Sequence, residues 1–403
     1  YFIKGKLKSV LKKIIYFIVN WISFFITSFI PVKKDLVIFT GTSLSNYNEN
    51  SRYLYEYLVK NKKFSPMWVT NSKKVYDYLC DKKYPVMWHK SLSGAWCYMR
   101  AGVVIGTGSS YPSLFMFVGK RTKKIWLSHG AGIRGTNAVS SGFINQFQLL
   151  KRFHAFDFLI FTSKFMDTYQ GKLQFLIPKN KRKILGFPRC DHLFNLALLE
   201  NSKNNKSTVK NFNMPIKENT RVLLYAPTWR PEECESDSLS LFQLSEFNYS
   251  NFNNWLKHNN IVLLISVHAS ARETYKDLSS YGNIDFIPDD PLIDINQIIT
   301  EVDLLITDYS SIATDFMLMN RPVIFVMLDY DYFYNDYGLL EDIRLTLPGV
   351  EVDNINSLEL SIIDLLNNPE KFQQKRDKYL EKYYDINNTN ACSNISNFIE
   401  NLI

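Results

Sequence analysis

Two histidines in this 403-residue chain directly follow predicted buried strands, where a side chain can do acid–base chemistry. His129 comes soon after the apolar run Lys124–Leu127, and His268 comes directly after Val262–Val267. A histidine can act as a general base near neutral pH because its ordinary pKa is about 6.5. We therefore predict that both are catalytic and face each other across a cleft. The alternative is that each is a loop histidine that only hydrogen-bonds backbone.

A second polar cluster follows the predicted strand Leu304–Thr307. Asp308, Ser310 and Ser311 are residue types that cap helices, and a helix is predicted over Ile312–Met319. Backbone N–H groups, hydroxyls and the helix dipole would then converge on one point, which predicts a phosphate site. The alternative is an ordinary helix cap without a ligand.

Two arginines next to prolines are further candidates for phosphate binding, since a guanidinium can hold a phosphate in bidentate geometry. Arg230 ends the segment Tyr225–Arg230, and Arg189 lies within Gly186–Asp191. The alternatives are that Arg189 forms a local ion pair with Asp191 and that Arg230 is simply solvated.

A formal G-x-G-x-x-G pattern covers Gly130–Gly135. A dinucleotide site would need an apolar helix directly after this pattern and an acidic residue at the end of a second strand. Polar residues 136–141 follow instead, and Asp157 begins a strand. The sequence therefore argues against dinucleotide oxidoreductase chemistry.

Composition narrows the classes of partner and cofactor. The five cysteines are scattered without a C-x-x-C pair, and no compact carboxylate cluster stands out, so we predict no metal and no cofactor. The formal net charge of +8 suits anionic partners. Outside the first thirty residues the lysines are spread along the chain, so nucleic-acid binding is not expected.

Residues 1–34 differ from the rest of the chain. Five lysines precede the apolar run Ile14–Ile30, and Lys33 and Lys34 follow it. The run is near the lower limit for crossing a bilayer, and no small-residue cleavage site follows, so an in-plane helix on an anionic membrane fits better than a spanning helix or a signal peptide. A buried first helix is the remaining alternative. We predict peripheral attachment to an anionic membrane through this segment.

Strands and amphipathic helices alternate after Lys34, which predicts an α/β fold with two Rossmann-like domains. The domains are predicted at 35–205 and 206–403, with the polar stretch Asn201–Thr220 between them. Ligands in such folds lie beyond the carboxyl ends of the strands. The predicted strands are Leu36–Thr40, Met67–Thr70, Val86–His89, Val103–Gly106, Lys124–Leu127, Phe158–Phe161, Val222–Ala226, Val262–Val267, Ile284–Ile287, Leu304–Thr307 and Val323–Val326. The predicted helices include Ser51–Asn61, Lys73–Asp81, Ser357–Asn367, Pro369–Tyr384 and Asn390–Leu402.

Several motifs together resemble the CDP-glycerol glycerophosphotransferase family of teichoic-acid and capsule synthesis, over roughly residues 35–385. In chain order they are Trp126-Leu127-Ser128-His129-Gly130, Gly186-Phe187-Pro188-Arg189-Cys190-Asp191, Tyr225-Ala226-Pro227-Thr228-Trp229-Arg230, the strand ending in His268, Thr307-Asp308-Tyr309-Ser310-Ser311 with Asp315, and Arg321-Pro322. The resemblance implies a GT-B-like domain pair, a CDP-linked polyol donor, a lipid-linked glycan or polymer acceptor, and release of CMP. A homo-oligomer is compatible with it.

The resemblance also implies roles for individual residues. His129 would deprotonate the acceptor hydroxyl, and His268 would contact the donor diphosphate. The remaining donor-side candidates are Thr228, Arg230, Ser310, Ser311, Asp315, Arg189, Glu341 and Asp342. Ser266 and Ala269 stand where relatives usually carry Arg and Pro, so the donor could differ or Arg272 could supply the cation.

Two other functions remain open. One is a glycosyltransferase of the same architecture that uses a sugar nucleotide. The other is a non-enzymatic, membrane-bound module of a capsule-synthesis machine.

Overall fold

The computed structural model describes residues 27, 29–108, 118–119, 121–128, 130–132, 153–198, 208–212, 214–230, 240–267, 272, 275–385 and 390–403. His129, His268 and most of the predicted membrane helix at 1–34 lie outside these residues. Among the helices that are described, none has the length and apolar character needed to cross a membrane.

Seven parallel strands form the first sheet, in the order β3-β2-β1-β4-β5-β6-β7. The inner strand β1 is fully buried at Val37, Ile38 and Phe39, as expected for a parallel sheet covered on both faces. The strands are β1 Lys33–Phe39, β2 Ser65–Thr70, β3 Val86–Trp88, β4 Ala101–Gly106, β5 Lys123–Trp126, β6 Phe158–Phe161 and β7 Arg182–Ile184.

A second parallel sheet has six strands in the order β10-β9-β8-β11-β12-β13. The strand order reverses between β8 and β11, and such a switch point opens a crevice at the carboxyl ends of the strands. The strands are β8 Arg221–Tyr225, β9 Ile261–Ile265, β10 Ile284–Phe286, β11 Leu304–Thr307, β12 Val323–Phe325 and β13 Val350–Glu351.

Helices connect the strands, and several begin at polar side chains that the sequence places there. Ser72, Asn248 and Asn354 each accept a hydrogen bond from a backbone N–H in the first turn of the helix that follows. The described helices are α1 Glu49–Asn61, α2 Lys73–Asp81, α3 Leu92–Arg100, α4 Lys164–Met166, α5 Pro188–Leu198, α6 Tyr249–His258, α7 Ile295–Ile298, α8 Ile312–Met317, α9 Ile355–Asn367, α10 Gln373–Tyr383 and α11 Ala391–Glu400.

The last helix, α11, returns to the first sheet. Cys392, Ile395 and Ile399 pack in one buried cluster with residues of β1 and α1. The carboxylate of Asp191 accepts hydrogen bonds from Ala391 N at 2.7 Å and Cys392 N at 2.8 Å, which caps this helix. Residues from both predicted domains therefore build the core around the first sheet, while the domain boundaries themselves stay a prediction.

The predicted alternation of parallel strands and helices is confirmed, and some boundaries were wrong. Strands β7 and β13 were not predicted because they have only three and two residues and carry charged side chains. The helix predicted from Pro369 begins at Gln373, since Phe372 before it has a left-handed φ of 63°. Helix α8 ends at Met317 instead of Met319.

Candidate functional site

The carboxyl-end loops of the two sheets meet at Ser311. A Cβ added to Gly130 would clash with Ser311 Oγ, and one added to Gly132 would lie 2.8 Å from Ser311 Cβ. Only glycine allows this close approach of the β5 loop to the start of α8. The sequence predicted separately that the β5 loop and Ser311 were functional, and the structure brings the two together.

The serines at this contact do not cap α8 through their side chains. Ser311 occupies the N-cap position with φ −63° and ψ −15°, and its hydroxyl makes no capping hydrogen bond. Ser310 contributes its backbone carbonyl, which accepts from Ala313 N at 3.2 Å. Both residues are partly exposed at the crevice. The hydroxyl of Ser311 therefore lies at the contact with the β5 loop without serving as the predicted helix cap.

Arg230 is buried and held by two carboxylates. Its Nε and Nη2 donate to Asp329 at 3.0 Å each, and its Nη1 pairs with Asp308 and donates to Thr228 O at 2.6 Å. Burial works to lower the pKa of this guanidinium, but the attraction of both carboxylates outweighs it and raises the pKa above its ordinary value. Arg230 is therefore not simply solvated; it joins the loop after β8 to the ends of β11 and β12.

Thr228 lies in the same loop. Its backbone N–H donates to Asp308 Oδ1 at 2.8 Å, which fixes the loop against the end of β11. Its hydroxyl is buried, with 4% of the residue exposed, and Oγ1 has no hydrogen-bond partner in the described part of the chain. A buried hydroxyl without a partner is uncommon in native proteins, so Thr228 remains a candidate for contact with a ligand.

Arg189 links the part of the chain that forms the first sheet to the part that forms the second sheet, here called the two halves of the molecule, through a buried ion network. Its guanidinium pairs with Glu49 at the start of α1 and, at 2.7 Å, with Asp315 of α8. Asp315 also accepts hydrogen bonds from Tyr384 and Cys190. Burial raises the pKa of Asp315, and Arg189 offsets only part of this effect. The alternative of a local Arg189–Asp191 ion pair is wrong, because Asp191 caps α11.

Glu49 has two unusual properties. Its backbone lies in the left-handed region at φ 61°, which is uncommon for a residue with a side chain and is often found near functional sites. Burial raises the pKa of its carboxyl to about 7, with attraction from Arg189 opposing this. Its N–H donates to Asp294 Oδ2 at 2.9 Å, so the backbone of Glu49 links the two sheets directly, and its side chain does so through Arg189 and Asp315.

A pocket of about 330 Å³ lies between the two halves, next to Glu49. Tyr47 N donates to Pro291 O at 2.8 Å along its wall, which holds the two sides together. The side chain of Arg272 reaches this pocket and donates to Ile287 O, while its Nε is buried without a partner in the described part of the chain. Polar residues dominate the lining, which includes Asn46, Asn48, Glu49, Ser266, Arg272, Asp289, Asp290 and Asp294.

Glu341 and Asp342 have local partners and do not line this pocket. Glu341 pairs with Lys382 and accepts from Tyr383 OH at 2.7 Å. Asp342 accepts from Arg344 N at 3.0 Å at the start of a short 3-10 helix. The described residues contain no cluster of three or more His, Cys, Asp or Glu that could hold a metal ion.

The model of the CDP-Glycerol:Poly(glycerophosphate) glycerophosphotransferase family matches residues 22–401. The chain belongs to this family. The resemblance that the sequence motifs indicated is confirmed, and the match covers both sheets and the crevice between them.

Curated relatives of the chain differ in length. The teichoic acid poly(glycerol phosphate) polymerase of Bacillus subtilis is 28% identical over 87% of the chain, which spans about half (48%) of that protein. The teichoic acid glycerol-phosphate transferase of Staphylococcus aureus is 24% identical over 98% of both proteins. A solved structure of the wall teichoic acid polymerase TagF has the same fold, with a TM-score of 0.74 and 20% identity over 100% of this chain and 98% of that one.

Sequence reasoning did not assign functions to several residues of the candidate site. Asp308 was considered only as a cap, and Glu49, Asn50, Asp294 and Asp329 received no role. A usable signal was present for two of them, because Glu49 and Asn50 lie shortly after the carboxyl end of β1, at the same edge of the sheet as the loop after β5. The individual roles predicted for the donor-side residues stay predictions.

Proposed function

We propose that the protein transfers glycerol phosphate from CDP-glycerol to a hydroxyl of a membrane-linked acceptor and releases CMP. Family membership supports the donor class. The single observation that carries the proposal for the site is the contact of Gly130 and Gly132 with Ser311 at the carboxyl ends of two parallel sheets. The S. aureus glycerol-phosphate transferase, which matches this chain over nearly its full length, supports glycerol as the polyol.

The proposed reaction is an in-line displacement at the β-phosphorus of the donor. The acceptor oxygen forms a new bond to this phosphorus, the bond to the CMP oxygen breaks, and His129 takes the hydroxyl proton. Phosphoryl transfer depends on positioning and on stabilising the negative charge of the transition state. We propose that His268 and the hydroxyls of Ser310, Ser311 and Thr228 contact the donor diphosphate.

The arginines and acidic residues have a different proposed part. Because Arg230 and Arg189 are each engaged by two carboxylates, we propose that they hold the donor-side loops in place. Asp315 would act with Arg189. Glu341 and Asp342 remain proposed donor contacts.

We also propose a GT-B-like arrangement of the two sheets. Their carboxyl-end loops approach one another at Ser311, and the pocket of about 330 Å³ lies between them. In this arrangement the donor would bind on the second sheet and the acceptor would enter from the first.

We propose that the protein acts at the anionic surface of the cytoplasmic face of the membrane. Besides the lysine-rich residues 1–34, a surface groove near the start of β1 is lined by Lys33, Lys62 and Arg100. Helix α3 beside it exposes 92% of Leu92 and 49% of Trp96. Exposed apolar side chains among cations suit an anionic interface.

Vesicle flotation tests this surface. The double substitution Leu92→Ser and Trp96→Ser should reduce binding to vesicles containing phosphatidylglycerol, while Leu360→Ser, at an equally apolar exposed position on α9, should not. If the wild-type protein and both variants bound the vesicles equally, α3 would not be part of the membrane-binding surface.

The decisive test of the function is CMP release with CDP-glycerol and CDP-ribitol in parallel, using a lipid-linked acceptor and mass analysis of the product. We expect CDP-glycerol to be consumed and the acceptor to gain glycerol phosphate. Consumption of a sugar nucleotide in place of both donors would favour the glycosyltransferase alternative. An unchanged thermal unfolding temperature with CDP-glycerol or CMP, together with no turnover, would favour the non-enzymatic module.

A further inference from the structure

Asn50, in the first turn of α1, connects three parts of the site. It is fully buried, and its Nδ2 donates to the carbonyl oxygens of Leu127 at 3.1 Å and Ser128 at 3.0 Å. Its Oδ1 accepts from the backbone N–H of Arg189 at 3.2 Å. Since Oδ1 faces a donor, the orientation of the amide is fixed by its partners.

The two carbonyls that Asn50 holds flank a strained residue. Ser128 has a left-handed φ of 59°, a conformation that costs free energy for any residue with a Cβ. Leu127 O precedes Ser128, and Ser128 O belongs to the peptide that joins Ser128 to His129. The amide of Asn50 therefore restrains the backbone on both sides of Ser128 and the peptide that leads into His129.

We propose that Asn50 is a positioning residue for catalysis, because its amide holds the left-handed turn at Ser128, directly before His129 in the chain. This inference rests on the proposed function, in which His129 is the base. Asn50 acts through the loop, because it lines no part of the pocket at the domain junction. Through Arg189, which pairs with Asp315, the same amide also ties the acceptor-side loop to helix α8.

The chemistry of the site favours asparagine over its isosteres. The position needs two N–H donors on one side and one acceptor on the other, within a fully buried space. Aspartate keeps the size and the acceptor but would direct a carboxylate oxygen at two carbonyl oxygens. Asn50→Asp therefore removes the two donors with the smallest change of shape.

The experiment compares Asn50→Asp with Asn283→Asp in the CMP-release assay. Asn283 is the matched control, because it is also buried and its Nδ2 donates to a backbone carbonyl, Ile261 O at 2.8 Å, far from the β5 loop. We expect Asn50→Asp to lower kcat about 100-fold, the order expected when a catalytic group is misplaced. KM for CDP-glycerol and the rise in unfolding temperature caused by CDP-glycerol should stay near the wild-type values, and Asn283→Asp should keep kcat.

A second substitution tests the strain argument directly. Glycine adopts a left-handed φ without a Cβ penalty, so Ser128→Gly added to Asn50→Asp should recover about tenfold of the lost kcat. Equal loss of kcat in Asn50→Asp and Asn283→Asp, or no recovery with Ser128→Gly, would overturn the positioning role. If the wild-type protein does not turn over CDP-glycerol, the proposed function fails and the inference fails with it. If wild type is active and Asn50→Asp keeps more than half of kcat, only the inference fails.

Discussion

The carboxyl group of Glu49 offers a quantitative test of the buried network between the two sheets. Its side chain is 15% exposed and pairs with Arg189, and burial raises its pKa to about 7 from an ordinary value of 4.5. The variant Glu49→Gln lacks this carboxyl. We therefore predict that its free energy of unfolding depends less on pH between pH 5 and pH 8 than that of the wild-type protein.

The direction of the effect follows from proton linkage. A carboxyl with a raised pKa binds its proton more tightly in the folded than in the unfolded protein, so its stabilising contribution is present below 4.5 and is lost as the pH rises through 7. One pKa unit corresponds to about 1.4 kcal/mol, so the full loss is about 3.5 kcal/mol, of which about 2.5 kcal/mol falls between pH 5 and pH 8.

Urea titrations at several pH values between 5 and 8 measure the free energy of unfolding of both proteins. The difference between Glu49→Gln and wild type should move by about 2.5 kcal/mol in favour of the variant as the pH rises. Glu218→Gln, on an exposed turn, controls for the loss of one negative charge. A difference that moves by less than about 0.5 kcal/mol would refute the reasoning, because the carboxyl would then not be buried with a raised pKa.

Three further substitutions test other parts of the candidate site. Gly132→Ala should lower the free energy of unfolding by about 1–3 kcal/mol and reduce CMP release, because the new methyl group would lie 2.8 Å from Ser311 Cβ; unchanged urea and activity curves would contradict the contact. Ser311→Ala should lower kcat/KM for CDP-glycerol about 10-fold without lowering the unfolding temperature, since its hydroxyl makes no capping bond; normal kinetics would remove it from the donor site. Arg230→Met should lower the free energy of unfolding, measured by urea titration, by about 3–5 kcal/mol, because it leaves Asp308 and Asp329 buried without their partner. A decrease below about 1 kcal/mol would show that these carboxylates are solvated.

Most of the fold could be predicted from local sequence patterns. Apolar runs of four to six residues separated by amphipathic segments determine the two parallel sheets, and side-chain caps such as Ser72 mark where helices begin. Strand β13 was missed because two residues carry too little periodicity to detect.

The site was predictable in part. Ser311 was predicted from its place after the carboxyl end of a strand, because parallel strands bring these ends to one edge, whereas Thr228 was predicted only from the family resemblance. The partners of the arginines could not be found in this way. Arg189 pairs with Glu49, 140 positions away, and Asn50 donates to Leu127, 77 positions away, and no local pattern encodes such separations.

The return of helix α11 to the first sheet has a consequence for how the protein is made. Ile395 and Ile399 complete a buried cluster whose other members include Val37 and Leu54, more than three hundred residues earlier. A ribosome synthesises the first sheet long before it reaches these isoleucines, so that cluster keeps an uncovered apolar face while the second sheet is being made. Completion of the first core must therefore wait until α11 has been synthesised, and a nascent chain paused before that point is the form most exposed to aggregation and to chaperones.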